Sequence, residues 1–295
     1  MEHKSSVFTF MQWLFFAVIG LLFVSAAFFN RNPGIHFVMH KQILYFMIFL
    51  TFFCLMSFIV YLLTKKKSVG AFLHKNSSLI VWGIMLAVFT FQISCAYMIQ
   101  SELLHDVNLA VTNAQARTPD DFYWIEYFSL FRNNLFLLFF SRAVFSILSL
   151  VNLENSFERV LILINILFIN ASIVLGFYAV KSAFGVYKAY IAWIFMLILI
   201  VPSPWLVVPY TDTLSMPFAI GIVYFYMRFK EAIKGQKVIL AIVIGVTAQL
   251  GFLFKPSAVI PLIAVFIIQL IADLRLLKQI NPIQCTTQNK TIKAG

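Results

Sequence analysis

The chain has 295 residues, of which 62% are hydrophobic and 11% charged, with a formal net charge of +11. Soluble domains carry about 25% charged residues, so this composition excludes a water-soluble globular domain and points to a polytopic membrane protein. The positive charge does not mark a nucleic-acid binder, because the Lys and Arg residues sit in short segments between apolar runs and form no basic stripe on a soluble face.

A membrane-crossing helix needs about 20 apolar residues. The runs that qualify are 9–30, 42–64, 78–98, 133–152, 159–180, 187–207, 213–229, 238–254 and 257–276. The expected fold is therefore all-α: a polytopic transmembrane helix bundle of about nine hydrophobic segments, with a large outer loop between the third and fourth. One transmembrane domain is expected over residues 1–280, with the outer loop at 99–132. The first run is followed by Asn30-Arg31-Asn32-Pro33 rather than by a small-residue cleavage site, and reads as a retained helix. Residues 281–295 form a polar tail without apolar periodicity, which reads as disordered. Cys54, Cys95 and Cys285 show no paired spacing, so neither a disulfide framework nor a metal site is expected from them.

Charge sets the expected orientation. Lys65, Lys66, Lys67 and Lys75 follow the second run and mark the inner side, and so do Arg228, Lys230, Lys234 and Lys237. Both acidic segments, Gln100 to Asn134 and the neighbourhood of Asp212, then face outside. The parity conflicts, because three apolar runs lie between them where an even number of crossings is required. The run 133–152, which contains Asn133, Asn134 and Arg142, is the best candidate for a segment that does not cross. Non-crossing backbone at membrane depth needs cover from protein or a watery cavity.

The segment from Gln100 to Asn134 holds Glu102, Asp106, Asp120, Asp121 and Glu126, five of the eleven acidic residues. Carboxylates at a membrane boundary are costly and mark candidate sites. Asp106 follows the third run, and Asp212 opens the seventh, just after an irregular stretch containing Pro202, Pro204 and Pro209. Lys255 ends the eighth run in Phe254-Lys255-Pro256, and Arg132 with Asn133 and Asn134 closes the large loop. A carboxylate there can take a proton from a hydroxyl, and a cation at the same depth can hold a phosphate whose lipid tail lies in the bilayer. Plainer roles compete: solvation for Asp106, helix capping for Asp212, snorkelling for Lys255, and pairing with Glu154 for Arg142.

The order Asp106-Val107-x-Leu109-Ala110-Val111-x-x-Ala114, Tyr127-Phe128-Ser129, Asn133-Asn134-Leu135-Phe136, Tyr210-Thr211-Asp212-Thr213 and Phe254-Lys255-Pro256 resembles the GT-C superfamily of membrane glycosyltransferases. Within it the chain is similar to the family 39 (dolichyl-phosphate-mannose-protein mannosyltransferase)-like integral membrane proteins of Gram-positive bacteria. The resemblance covers roughly residues 100–275. It departs from that group's Y-F-x-x-Y-P-N-N pattern, since Phe131-Arg132 stands where Tyr-Pro is usual.

The resemblance implies transfer of a sugar from a polyprenyl-phosphate-linked donor to an acceptor hydroxyl on the outer face, with inversion. It assigns catalysis to Asp106 and Asp212, donor-phosphate binding to Lys255 and Arg132, and acceptor or loop positioning to Asn133, Asn134 and Tyr210. No metal ligand set is assigned, although Asp106 and Asp212 leave room for a shared divalent metal. The implied partners are the donor, membrane lipids and a glycan, lipid or protein acceptor, and the implied location is the bacterial plasma membrane. Family members have more helices and a longer C-terminal part, so a shortened, non-catalytic protein of cell-envelope glycan assembly is one alternative. A transporter or lipid flippase is another; it calls for inverted repeats and ionisable residues near the midplane, where the sequence offers Arg142 and no evident repeat.

Overall fold

The computed structural model describes residues 67–98, 105–116 and 122–271, with isolated positions between 51 and 62. The expected helix 9–30, most of 42–64, Asp120, Asp121 and the polar tail lie outside the described residues. The chain divides into two compact units, residues 1–59 and 60–295.

In the second unit, every regular element among the described residues is helical. In chain order they are α1 (Lys67–Lys75), α2 (Ser77–Met98), α3 (His105–Gln115), α4 (Phe122–Leu130), α5 (Leu135–Leu150), α6 (Phe157–Phe184), α7 (Val186–Ile200), α8 (Thr211–Glu231) and α9 (Lys234–Phe254). An apolar helix, α10 (Pro256–Ile271), comes next and opens with a 3-10 turn at Pro256–Val259. Short 3-10 turns also stand at Arg132–Asn134, Glu154–Ser156 and Pro204–Leu206. Four stretches are long and apolar enough to cross a bilayer: Ser77–Met98, Arg132–Leu150, Glu154–Phe184 and Lys234–Phe254. The segment expected as a loop at 99–132 contains α3 and α4. The apolar positions Val107, Ala110, Val111 and Ala114 give α3 a buried stripe at helical spacing.

Helix α6 is the axis of the unit. Its 28 residues span about 42 Å at 1.5 Å per residue, and half of its span is buried, more than in any other candidate crossing helix. Helix α2 runs antiparallel to it: Lys181 Nζ donates to Ser77 Oγ over 2.7 Å, and Asn170 meets Gln92 further along. Helix α7 returns along α6 through a ring cluster of Phe177, Tyr190 and Trp193. Helix α8 runs parallel to α6, with Thr213 beside Asn165 and Tyr224 beside Tyr178. Helix α9 comes back along α8, and α10 follows α8 again, with Tyr226 Oη 3.1 Å from Gln269 Oε1. These pairings place Lys75, Lys181, Lys188, Arg228, Lys230, Lys234 and Lys237 at one end of the unit.

Helix α5 behaves differently. Its start packs against Ile164 and Phe168, in the middle of α6, and its end packs against Phe157, the first residue of α6. Phe145 and Phe157 meet with ring centroids 5.2 Å apart. So α5 pairs only with the early part of α6 and turns back at 151–156, far from the basic end. Arg132–Leu150 has the length and composition of a crossing helix, but its pairing covers only part of the axis. Among the described residues, α6 and α7 run between the end that holds Asp106 and the basic end, whereas α5 pairs with the early part of α6 alone. Arg142 is exposed on α5 and forms no ion pair among the described residues.

Candidate functional site

The first turn of α3, the end of α4 and the starts of α5 and α8 converge at the end of the unit away from the lysines. Asp106, in the first turn of α3, is half-buried and accepts a hydrogen bond from Tyr210 Oη at 2.9 Å. Tyr127, on α4, is buried, and its Oη accepts from Asn134 Nδ2 at 2.8 Å. Burial first, and then a hydrogen bond to Asp106, hold the Tyr127 phenol well above its ordinary pKa, against a smaller opposing pull from Asn134. Burial, the bond to Asp106 and the charges of Asp106 and Asp212 push Tyr210 up to about 12. Both phenols therefore keep their protons at neutral pH and present the carboxylate with donors.

Asp212 and Lys255 form an ion pair across the starts of α8 and α10. Asp212 is not the cap of α8: Tyr210 occupies that position, and Asp212 lies in the first turn. There the helix dipole favours its negative charge. Gly251, one turn before Lys255, permits this approach. A Cβ at Gly251 would stand 2.9 Å from Phe218 Cβ and 3.2 Å from Ala258 Cβ, so only glycine lets α9 lie this close to α8 and α10. Phe254 stacks on Phe218 and meets Phe136, Phe140 and Phe168 edge-on, tying the end of α9 to α5, α6 and α8.

Asn165, which is neither acidic nor aromatic and does not stand out in the sequence, holds the irregular stretch in place. It is fully buried on α6. Its Nδ2 donates to the carbonyls of Trp205 and Leu206 at 2.9 Å each and of Val208 at 3.3 Å, and its Oδ1 accepts from Thr213 Oγ1 at 2.5 Å. The prolines prevent this segment from continuing α7, so its carbonyls need outside partners. One amide supplies them and thereby fixes where Tyr210 and Asp212 emerge. The available signal was a lone Asn inside an apolar run, where an unpaired amide is expensive. Thr211, at the start of α8, is 1% exposed, and its Oγ1 has no hydrogen-bond partner.

The structure thus brings together Asp106, Tyr210 and Asn134, and sets Asp212 with Lys255 beside them. Tyr127 joins them; the sequence offered it only within the Tyr127-Phe128-Ser129 stretch of the resemblance and gave it no role in the site. Asn133 is exposed and donates to Asn134 Oδ1 at 3.1 Å. Arg132 is exposed, with Nε donating to the Ser129 carbonyl at 3.4 Å, and makes no side-chain contact with either Asp among the described residues. No group of three His, Cys, Asp or Glu residues is placed to hold a metal ion among the described residues. Two carboxylates, one of them already facing an ammonium, make an incomplete donor set for a divalent cation.

Residues 1–292 match the model of a protein family described as conserved hypothetical integral membrane protein. No curated protein and no solved structure matches the chain.

Proposed function

The chain belongs to that family of integral membrane proteins, and from this premise we propose that it is a GT-C-like glycosyltransferase of the bacterial plasma membrane. It moves a sugar from a polyprenyl-phosphate-linked donor to an acceptor hydroxyl at the outer face. The observation that carries the reading is the gathering of Asp106, its two phenols and the Asp212–Lys255 pair at one end of the helical unit. The lysine-rich loops at the opposite end support an outer location for that gathering, through the positive-inside bias.

In this mechanism the acceptor hydroxyl donates to Asp106, which takes its proton as the oxygen attacks the anomeric carbon. The bond from that carbon to the phosphate oxygen breaks, and polyprenyl phosphate leaves with the electron pair. Lys255 shifts from Asp212 toward the departing phosphate and neutralises its developing charge. Tyr210 and Tyr127 orient the carboxylate. Asn134 positions Tyr127, while Arg132 and Asn133 face the solvent where a head group arrives.

The test uses the full chain in vesicles with a polyprenyl-phosphate-linked radiolabelled hexose and a panel of glycan, lipid and peptide acceptors. Wild type is expected to form labelled product and release polyprenyl phosphate. Asp106→Asn is expected to slow transfer by about 10²–10⁴-fold. Full transfer by a folded Asp106→Asn protein would overturn the role of Asp106, and failure of wild type to consume any such donor would overturn the reading itself.

A further inference from the structure

The joint between α8 and α9 carries charge that the site around Asp106 does not use. Arg228 and Lys230 lie in the last turn of α8, where cations complement the carbonyl end of the helix dipole. The chain extends at Ala232 and Ile233 and then turns back into α9 at Lys234. A pocket of about 420 Å³ opens at this joint, lined by Arg228, Glu231, Ala232, Gln236, Ile239 and Leu240. It lies at the basic end of the unit, which the positive-inside bias assigns to the inner face.

The lining holds one cation and one anion. Arg228 Nη1 and Glu231 Oε2 stand 3.8 Å apart, and both side chains are more than half exposed. An exposed ion pair at that separation contributes little to the fold, so its members can exchange one another for ligand groups. The neighbouring cations Lys230 and Lys237 do not line the pocket: Lys230 Nζ lies over the Tyr226 ring and Lys237 Nζ over the Phe229 ring. The planar guanidinium of Arg228 suits the oxygens of a phosphate, and the Glu231 carboxylate suits an ammonium that donates to it. A purely anionic head group would meet repulsion from Glu231, and a purely cationic one from Arg228. Gln236 adds an amide that both donates and accepts.

The pocket sits at the head of an apolar stripe. Ile239 and Leu240 lie within the first two turns of α9, a helix long and apolar enough to cross a bilayer. Ile239, Ile242 and Val246 are each more than half exposed and recur at helical spacing along one face. In a bilayer that face meets hydrocarbon chains. A molecule that fits both parts has a zwitterionic head and an apolar tail.

We propose that this pocket binds a phospholipid whose head group carries a phosphate and a primary ammonium, as phosphatidylethanolamine does. Arg228 holds the phosphate, Glu231 accepts from the ammonium, and one acyl chain lies along Ile239, Ile242 and Val246. The site stands at the opposite end of the unit from Asp106 and does not depend on the transferase reading.

The full chain, reconstituted in phosphatidylcholine vesicles at physiological salt, is irradiated with phosphatidylethanolamine carrying a diazirine on one acyl chain, and the labelled peptides are mapped. Labels are expected on the α9 stripe. Unlabelled phosphatidylethanolamine should displace the probe about tenfold better than phosphatidylcholine, whose ammonium cannot donate, or phosphatidylglycerol, which has none. Arg228→Gln should reduce labelling about tenfold, and Glu231→Gln should abolish the preference for phosphatidylethanolamine over phosphatidylglycerol. Lys234→Gln, which removes a charge from the same end but not from the pocket, should leave labelling within about twofold. Equal displacement by phosphatidylcholine or phosphatidylglycerol from the wild type would overturn the proposal without recourse to any variant. So would labelling that falls as far in Lys234→Gln as in Arg228→Gln, since the whole basic end would then be attracting the lipid.

Discussion

The two polar regions of this molecule, the site around Asp106 and the amide pair at Asn170, solve the same problem in opposite ways. Both put polar groups beside apolar helices, the first partly open to solvent at Asp212 and Lys255 and the second buried. Around Asp106 the groups pair with one another: the carboxylate holds Tyr210, Tyr127 joins Asn134, and Lys255 neutralises Asp212. At Asn170 the pairing stops halfway, leaving one donor and one acceptor. Asn165 and Asn170 sharpen the contrast, because they lie on one helix and differ in what faces them. Asn165 meets an irregular backbone with free carbonyls and is saturated, whereas Asn170 meets a single glutamine and an apolar groove. A closed network preorganises a site; an open pair leaves the desolvation of its unmatched atoms uncompensated.

The largest test of the comparison is Lys255→Met. In the proposed transferase it removes the cation for the leaving phosphate, and kcat/KM should fall by about 10²–10³-fold, with substantial rescue by Lys255→Arg. Equal activity of the Met and Arg variants would show that the charge at 255 serves the fold alone. Next comes Asn165→Ala, which strips the partners from the 205–208 carbonyls. Thermal unfolding in detergent should report a loss of roughly 1–3 kcal/mol. An unchanged melting temperature would mean that the irregular stretch holds its shape without the amide. Gly251→Ala should cost a similar amount, about 1–3 kcal/mol, by overpacking against Phe218 and Ala258.

The raised phenol values make a smaller, signed prediction. Tyr210 titrates at about 12 in the folded protein against 10.0 ordinarily. Below pH 10 both states keep the proton and its contribution is fully present. As pH rises from 10 toward 12 the unfolded state releases the proton first, so stability falls across that window. Tyr127 is shifted in the same direction. In Asp106→Asn both shifts shrink, and alkaline unfolding should show a smaller decline over the same range; an identical decline would separate the phenols from Asp106. The smallest expected effect is that of the double substitution Gln92→Leu with Asn170→Leu. Removing both partners of an incomplete pair should leave stability within about 1 kcal/mol of wild type, whereas a large loss would show that the pair is a structural staple like Asn165.

Much of the architecture comes from local composition. The apolar runs expected at 78–98, 159–180, 213–229 and 238–254 appear as Ser77–Met98, Phe157–Phe184, Thr211–Glu231 and Lys234–Phe254, because hydropathy and helix-breaking prolines act within a few residues of the chain. The same locality made Asp106, Asp212 and Lys255 visible, since an ionisable group beside an apolar run stands out by its cost. Tertiary structure decided the rest. Arg132–Leu150 has the hydropathy of a crossing helix, and only its pairing with the first part of α6 shows that it covers part of that axis. Asn165 looks unexceptional in sequence and Tyr127 enters there only as part of a resemblance motif; they gain their roles from facing the 205–208 carbonyls and Asp106. Hydropathy reports what a segment can bury, whereas hydrogen-bond satisfaction depends on which segments are brought opposite one another.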